Sequence, residues 1–178
     1  MFQMTREDLL DRLSRLDEEA FYSLTTETRY KMVIVGSGAL ILHEYIDRYT
    51  TDIDVVYTSP DLMPLLEKYN INTRAEAYIN SFPYNFEDRL VPLVQGRKID
   101  YFTASLEDIV VAKLNAMRPP DLLDIQAEDV LKQIDWDLLE QLVTGEEEAK
   151  VSALNDRNYK KLLDAYKEYV SRCKPCGI

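Results

Sequence analysis

The sequence is poor in the residues that support thiol and zinc chemistry. It has one histidine, His43, and two cysteines, Cys173 and Cys176, in 178 residues. A Cys-x-x-Cys pair can supply half of a zinc site, but no second half is present and the histidine is far away in the sequence. We therefore expect two reduced thiols near the end of the chain.

Positive charge is also scarce. The chain has 21 Lys and Arg against 32 Asp and Glu, for a formal net charge of -11. Such acidity argues against a broad basic surface and leaves at most a local basic groove for nucleic acid, so we expect no DNA partner. An anionic nucleotide would need a metal ion or a focused cationic pocket to approach.

Long apolar runs are missing as well. No stretch approaches the length of a membrane span, and the chain is charged from Arg6 onward, unlike a secretory signal. Together with the few cysteines, this predicts a cytoplasmic protein without a membrane partner. Apolar residues still make up 46% of the chain, which is enough for a real core.

The chain divides into a mixed first part and a helical second part. Strands are predicted at Lys31–Val35, at Ile53–Tyr57 and in a hairpin of Arg89–Val94 and Lys98–Phe102. Helices are predicted near residues 5–19, 39–46, 62–69, 106–117, 121–133, 136–143 and 158–172. We predict an α/β (α+β) fold: a small mixed sheet flanked by helices over residues 1–104, with a helical region over residues 105–178 packed on that core.

The segment VIVGSGAL combines a predicted strand with two glycines, Gly36 and Gly38. A dinucleotide-binding fingerprint would need a third glycine where Ile41 stands, and an acidic residue at the end of the second strand. Both are missing. Two alternatives remain: a simple strand-to-helix turn, or a phosphate-binding corner to which Ser37 adds a hydroxyl donor.

Two aspartates, Asp52 and Asp54, lie one residue apart at the start of an apolar run. Residues two apart in a strand face the same side, so both carboxylates project together. Like charges on a partly buried strand are costly unless a cation or several donors lie between them. A divalent cation with oxygen ligands, Mg²⁺ or Mn²⁺, removes that cost. The alternative is a strand end whose carboxylates are hydrated.

The order of these motifs resembles the signature of the nucleotidyltransferase superfamily, in which Gly-Ser precedes an Asp-x-Asp strand. The segment GSGALILHEYIDRYTTDIDVV is similar to the minimal nucleotidyltransferases, including AbiEii-type toxins and their relatives. The further matching residues are Ala39, Leu40, Leu42, His43, Arg48 and Thr50. The resemblance implies that Asp52 and Asp54 hold two metal ions. It also implies that Gly36, Ser37, Gly38 and Arg48 bind the nucleotide, with either Ser37 or Gly38 facing the phosphate.

The resemblance also implies a third carboxylate, for which Asp100 in the second arm of the hairpin is the best match. It would share one of the metal ions and help to deprotonate the incoming hydroxyl. The residues alone leave a second interpretation open, in which Asp100 faces outward from an edge strand. His43 lies within a predicted helix, where we expect a packing or hydrogen-bonding role.

A lysine, Lys113, falls on the apolar stripe of the predicted helix at 106–117. Its ammonium group either reaches out from the edge of the core or points into a cleft. The segment from Ser105 to Ile125 is similar to a second conserved block of the relatives, and this resemblance implies that Lys113 neutralises nucleotide phosphates. Asp121 and Asp124 match the block too, and we expect them to be structural.

The resemblance, together with these residues, implies a nucleotidyltransferase that uses Mg²⁺ or Mn²⁺ and a nucleoside triphosphate such as ATP. The predicted acceptor is a protein or RNA hydroxyl, and the predicted setting is a toxin–antitoxin pair with a cognate partner. The alternative is a protein of the same fold without catalysis, which binds a nucleotide or a partner protein.

Overall fold

The computed structural model describes residues 2–176, which form two compact units. Within these residues, the first unit comprises 2–77 and 90–104, and the second comprises 78–89 and 105–176. Ala104 and Ser105, the two sides of the predicted boundary, therefore belong to different units. The segment Tyr78–Arg89 belongs to the helical unit although it precedes that boundary.

The first unit contains a mixed sheet. Its strands are β1, Tyr30–Val35; β2, Ile53–Val56; β3, Ile71–Asn72; β4, Val91–Gln95; and β5, Ile99–Thr103. They follow the order β3-β2-β1-β5-β4 across the sheet. The β1–β5 and β2–β3 pairs are parallel, whereas β1–β2 and β4–β5 are antiparallel. This arrangement confirms the predicted α/β class and the predicted hairpin.

Three helices accompany the sheet: α1, Arg6–Ser23; α2, Gly36–Leu42; and α3, Met63–Lys68. Helix α1 begins with a capping box, because Thr5 accepts the Asp8 amide and Asp8 accepts the Thr5 amide. Its apolar face is buried, and the Tyr101 hydroxyl donates to the Leu13 carbonyl oxygen at 2.7 Å. Helix α1 is thereby tied to β5.

The strand register places the residues of interest. Val35, the last residue of β1, pairs with Asp54, and Asp54 pairs in turn with Asn72. On the other side of β1, its second residue Lys31 pairs with Asp100. Asp54 and Asp100 consequently lie at opposite ends of β1.

The second unit is helical. Its helices are α4, Leu106–Ala116; α5, Pro119–Ile125; α6, Glu128–Gln133; α7, Trp136–Thr144; α8, Ala149–Ser152; and α9, Asp156–Cys173. Ser105 caps α4 by accepting the Asp108 amide, as its position before the apolar stripe predicts. Cys173 and Cys176 are free cysteines. Within residues 2–176, each helix is too short or too polar to cross a membrane.

The structure differs from the sequence-based expectation at several elements, among them α2, the α5–α6 region and β3. Helix α2 ends at Leu42 rather than Ile46, because His43 leaves the helical conformation and Glu44 takes a positive φ of 62°. The predicted helix at 121–133 is two helices, interrupted where Ala127 is extended. Strand β3 was not predicted, and it places a polar side chain beside Asp54.

Candidate functional site

The carboxyl end of β1 brings the glycine turn and one of the paired aspartates into contact. Gly36 follows β1 directly and has a φ of +68°, which L-residues adopt at a cost. A Cβ atom added to Gly36 would lie 3.2 Å from Oδ2 of Asp54. Two features thus favour glycine as the first residue of the turn: its positive φ and the nearby carboxylate of Asp54.

Asp54 is half-buried and is held from the neighbouring strand β3. The side-chain amide of Asn72 donates to Oδ1 of Asp54 at 2.7 Å. Sequence reasoning missed Asn72, because the region after Asn70 mixes polar and aromatic residues without a clear period. The available signal was the dipeptide Ile71-Asn72, which repeats the apolar-acidic order of Ile53-Asp54 with an amide in place of the carboxylate.

Asp52 is exposed and comes immediately before β2. The segment in front of it is anchored, since Thr50 and Met4 exchange backbone hydrogen bonds of 2.7 and 3.1 Å. The Thr51 hydroxyl donates to Oδ2 of Asp52 at 3.2 Å. The second glycine of the turn, Gly38, lies close by: a Cβ atom there would be 3.7 Å from the Asp52 carbonyl oxygen. The backbone of Asp52 therefore lies next to the turn, whereas Asp54 approaches the turn with its carboxylate.

A cationic side chain accompanies the turn. Nη2 of Arg48 donates to Oγ of Ser37 at 2.7 Å, and Nη1 donates to the Tyr49 carbonyl oxygen at 3.0 Å. Arg48 is exposed and also lines a cavity of about 630 Å³, whose other charged residues are Arg6 and the acidic Glu7, Glu44 and Asp47. A guanidinium group and a hydroxyl side by side are donors that suit phosphate oxygens.

The prediction that Asp100 joins Asp52 and Asp54 in a metal site is wrong. The register puts Asp100 beside Lys31 and Asp54 beside Val35. Four residues along β1 and two strand spacings separate the two Cα atoms by roughly 16 Å. Asp100 instead forms an ion pair of 2.5 Å with Arg29. Its partner at this end of the sheet is therefore an arginine.

The residue that β5 does bring to the end near the glycine turn is Thr103, which is fully buried. Its hydroxyl shares a hydrogen bond of 2.7 Å with Nε2 of His43. Burial, and secondarily the charge of Arg6, lower the pKa of His43. The only histidine thus joins the end of α2 to β5, in line with the expected hydrogen-bonding role.

A pair of aspartates, one of which has its carboxylate beside a glycine turn, suits a hard divalent cation. Among the described residues, no group of three or more His, Cys, Asp or Glu side chains is placed to hold a metal ion. Mg²⁺ is commonly held by one or two carboxylates, with the other ligands supplied by water and substrate phosphates. Asp54, with Asp52 two residues away, fits that pattern, and water would fill the remaining positions when no phosphate is bound.

The helical unit contains a separate charged cluster around Lys113, which is 5% exposed. Its Nζ atom lies 2.9 Å from Asp121 and 3.0 Å from Asp124. Burial raises the pKa of Asp121, but hydrogen bonds and charge from Arg118 and Lys113 outweigh burial and leave that pKa below its usual range. Asp121 and Asp124 hold the lysine in place, and the predicted contact of Lys113 with phosphate stays a prediction.

Comparison with known protein families agrees with the combination of glycine turn and paired aspartates. Residues 11–174 match the family described as "Nucleotidyltransferase of unknown function (DUF6036)". The chain belongs to this family. The match runs through both units, so the DUF6036 assignment applies to the helical unit as well as to the sheet. None of the curated proteins or solved structures compared with the chain matches it.

Proposed function

We propose that this DUF6036 protein is a Mg²⁺- or Mn²⁺-dependent nucleotidyltransferase. It would move a nucleoside monophosphate group from a nucleoside triphosphate, such as ATP, to a hydroxyl group of a protein or an RNA. The observation on which this depends is the contact between Gly36 and Asp54. This approach places a carboxylate suited to a metal ion beside a glycine turn suited to phosphate. The side chains of Arg48 and Ser37 meet at the same turn.

Each residue of the site has a role that follows from its position. Asp52 and Asp54 would hold the divalent cation, which when bound neutralises charge on the triphosphate and the departing pyrophosphate. Ser37 and Arg48 would donate to phosphate oxygens, because their side chains already meet beside the turn. Because Gly36 has no side chain, Asp54 and the nucleotide would both fit into a space that a larger residue would fill.

The reaction is a displacement at the α-phosphorus. The acceptor oxygen forms a bond to phosphorus while the bond to pyrophosphate breaks, and the acceptor proton passes to water. Catalysis of this kind depends mainly on positioning and charge stabilisation. Asp100 has no part in the step, because it lies at the other end of β1.

The net charge of -11 favours a protein acceptor, or an RNA that meets the surface only locally. We further propose a cytoplasmic toxin–antitoxin setting in which a cognate partner controls the activity. This setting rests on the resemblance of the glycine and aspartate motifs to those of the minimal nucleotidyltransferases.

A second candidate function is nucleotide or partner binding without catalysis. The observation that favours it is the position of Asp100, which leaves two of the three expected carboxylates at the site. A site with fewer acidic ligands can still bind a nucleotide, but it holds the metal less firmly.

The test supplies each of the four α-labelled triphosphates with Mg²⁺ or Mn²⁺ and a cell lysate as the source of acceptors. We expect wild type to transfer label to a protease- or RNase-sensitive product. Asp54→Asn should lower transfer by about a thousandfold, which corresponds to about 4 kcal/mol of transition-state stabilisation. Binding of a triphosphate with no transfer for any of the four would instead support the second candidate.

A further inference from the structure

The side chain of Asn72 is held between its own strand and Asp54. Its Oδ1 atom accepts the backbone N–H of Arg74 at 3.0 Å, and its Nδ2 atom donates to Oδ1 of Asp54 at 2.7 Å. Asn72 and Asp54 are also register partners in the parallel β2–β3 pair. One short side chain therefore connects a local turn to the carboxylate of the proposed metal site.

The two hydrogen bonds fix the orientation of the Asn72 amide. An amide presents an acceptor on one side and donors on the other. Because the Arg74 N–H can only donate, it requires the oxygen on its side, and the NH₂ group then faces Asp54. A flipped amide would set its oxygen against the carboxylate and its NH₂ group against the Arg74 N–H, so both contacts would become repulsive.

The geometry constrains the carboxylate from two sides. Oδ1 of Asp54 accepts a hydrogen bond from Asn72, while Oδ2 would lie 3.2 Å from a Cβ atom added to Gly36. Asn72 therefore holds one carboxylate oxygen, and the absence of a side chain on Gly36 leaves room for the other. Side chains that orient a metal-ligating carboxylate in this way are conserved features of metal sites, and losing one typically weakens metal binding 10–100-fold.

We propose that Asn72 is a positioning residue that sets the orientation of the Asp54 carboxylate for a divalent cation. This inference rests on the proposed function, since it assumes that Asp54 is a metal ligand. Asn72 acts through Asp54 and does not itself touch the cation. A purely structural Asn72 would join β3 to β2 and affect stability alone.

The experiment measures Mn²⁺ binding by the electron paramagnetic resonance signal of free Mn²⁺, without nucleotide or turnover. The main variant is Asn72→Ser, because a serine hydroxyl can still accept the Arg74 N–H but is too short to reach Asp54. Asn72→Ala removes both contacts, and Thr73→Ala serves as the control in the same segment. Thermal unfolding of each variant is followed in parallel.

We expect Asn72→Ser to weaken Mn²⁺ binding about tenfold while Thr73→Ala binds like wild type. Asp54→Asn should abolish the binding that Asn72→Ser weakens. If Asp54→Asn weakens Mn²⁺ binding but Asn72→Ser and Asn72→Ala do not, the role of Asn72 is refuted and the proposed function stands. If Asp54→Asn binds Mn²⁺ like wild type, the metal site itself is refuted. If Asn72→Ala does not fold, the Asn72→Ser result decides.

Discussion

At each end of the sheet in the first unit, an aspartate side chain lies close to a glycine, but the two aspartates have different roles. At the carboxyl end of β1, Asp54 lies over Gly36, is half-buried and receives a hydrogen bond from a side chain, Asn72. At the opposite end, Asp17 lies against Gly96 in the turn between β4 and β5. A Cβ atom on Gly96 would overlap the Asp17 carboxylate, so this glycine is equally required.

The difference lies in what each carboxylate binds. Asp17 is 8% exposed and accepts the backbone N–H groups of Arg97, Lys98 and Ile99, each at 2.8 Å. It closes the hairpin turn and serves the fold. Asp54 lies two residues from the exposed Asp52 and beside a turn at which the exposed Arg48 donates to Ser37, so its surroundings suit a ligand. Backbone amides bind the carboxylate of Asp17, which indicates a structural role. A side-chain amide orients the carboxylate of Asp54 beside the glycine turn, which suits a ligand-binding role.

The strongest test of this comparison is Gly36→Ala. Alanine would have to adopt a φ near +68°, which costs about 1–2 kcal/mol, and its Cβ atom would lie 3.2 Å from Oδ2 of Asp54, so the carboxylate must shift by a few tenths of an ångström. Disturbing the support of a metal-ligating side chain typically costs about 10–100-fold, and we expect a loss of that size in label transfer.

The matched control for that test is Gly38→Ala in the same turn. Its Cβ atom would meet the Asp52 carbonyl oxygen at 3.7 Å, an ordinary contact, and alanine is favoured over glycine inside a helix. The packing and backbone costs of Gly36→Ala are therefore absent, so Gly38→Ala should lower transfer less than Gly36→Ala does. Equal losses for the two alanine variants would show that the contact between Gly36 and Asp54 is not what matters.

A substitution at the opposite end of the sheet should lower the free energy of unfolding and leave the rate of label transfer unchanged. Asp17→Ala would leave the amides of the hairpin turn without their acceptor, at a cost of about 2 kcal/mol in the free energy of unfolding. Label transfer per folded molecule should be unchanged. The control is Asp11→Ala on the same helix, whose carboxylate makes an exposed pair with Arg15 and should contribute little. A stable Asp17→Ala variant would contradict the role given to Asp17.

The glycine turn and the aspartate strand could be predicted because they lie close in the chain. Gly36 and Asp54 are joined by one helix and a short loop, so the order of the motifs nearly determines that they meet. The capped helices were predictable for the same reason, since Thr5 with Asp8 and Ser105 with Asp108 satisfy each other locally.

Asp100 and Asn72 show where local patterns fail. Alternation along a strand gives the face on which a side chain lies, and the pairing indeed puts Asp100 and Asp54 on one face of the sheet. It does not give the position along the neighbouring strand, which depends on register. The start of β5 is held by Asp17, a residue of a helix that is distant in the chain. Asn72 lies in a strand of only two residues, which is too short to show an alternating pattern.

Asp100→Asn tests the corrected register directly. The ion pair between Asp100 and Arg29 is partly exposed, with 28% and 44% of the two side chains accessible, so its loss should cost less than about 1 kcal/mol of stability. Transfer should remain at the wild-type level, in contrast to Asp54→Asn. A loss as large as that of Asp54→Asn would mean that Asp100 belongs to the catalytic site and that the register argument fails.

The smallest expected effect concerns His43, which joins α2 to β5 near the glycine turn. Burial, followed by the charge of Arg6, lowers its pKa, so the unfolded chain takes up a proton at a higher pH than the folded chain does. Stability should therefore fall as the pH drops below about 6.5, where the unfolded histidine becomes charged. His43→Gln, which can still bond to Thr103, should flatten this part of the stability profile, measured by urea unfolding between about pH 7.5 and pH 5.5. An unchanged profile would show that the buried imidazole is not the group that titrates.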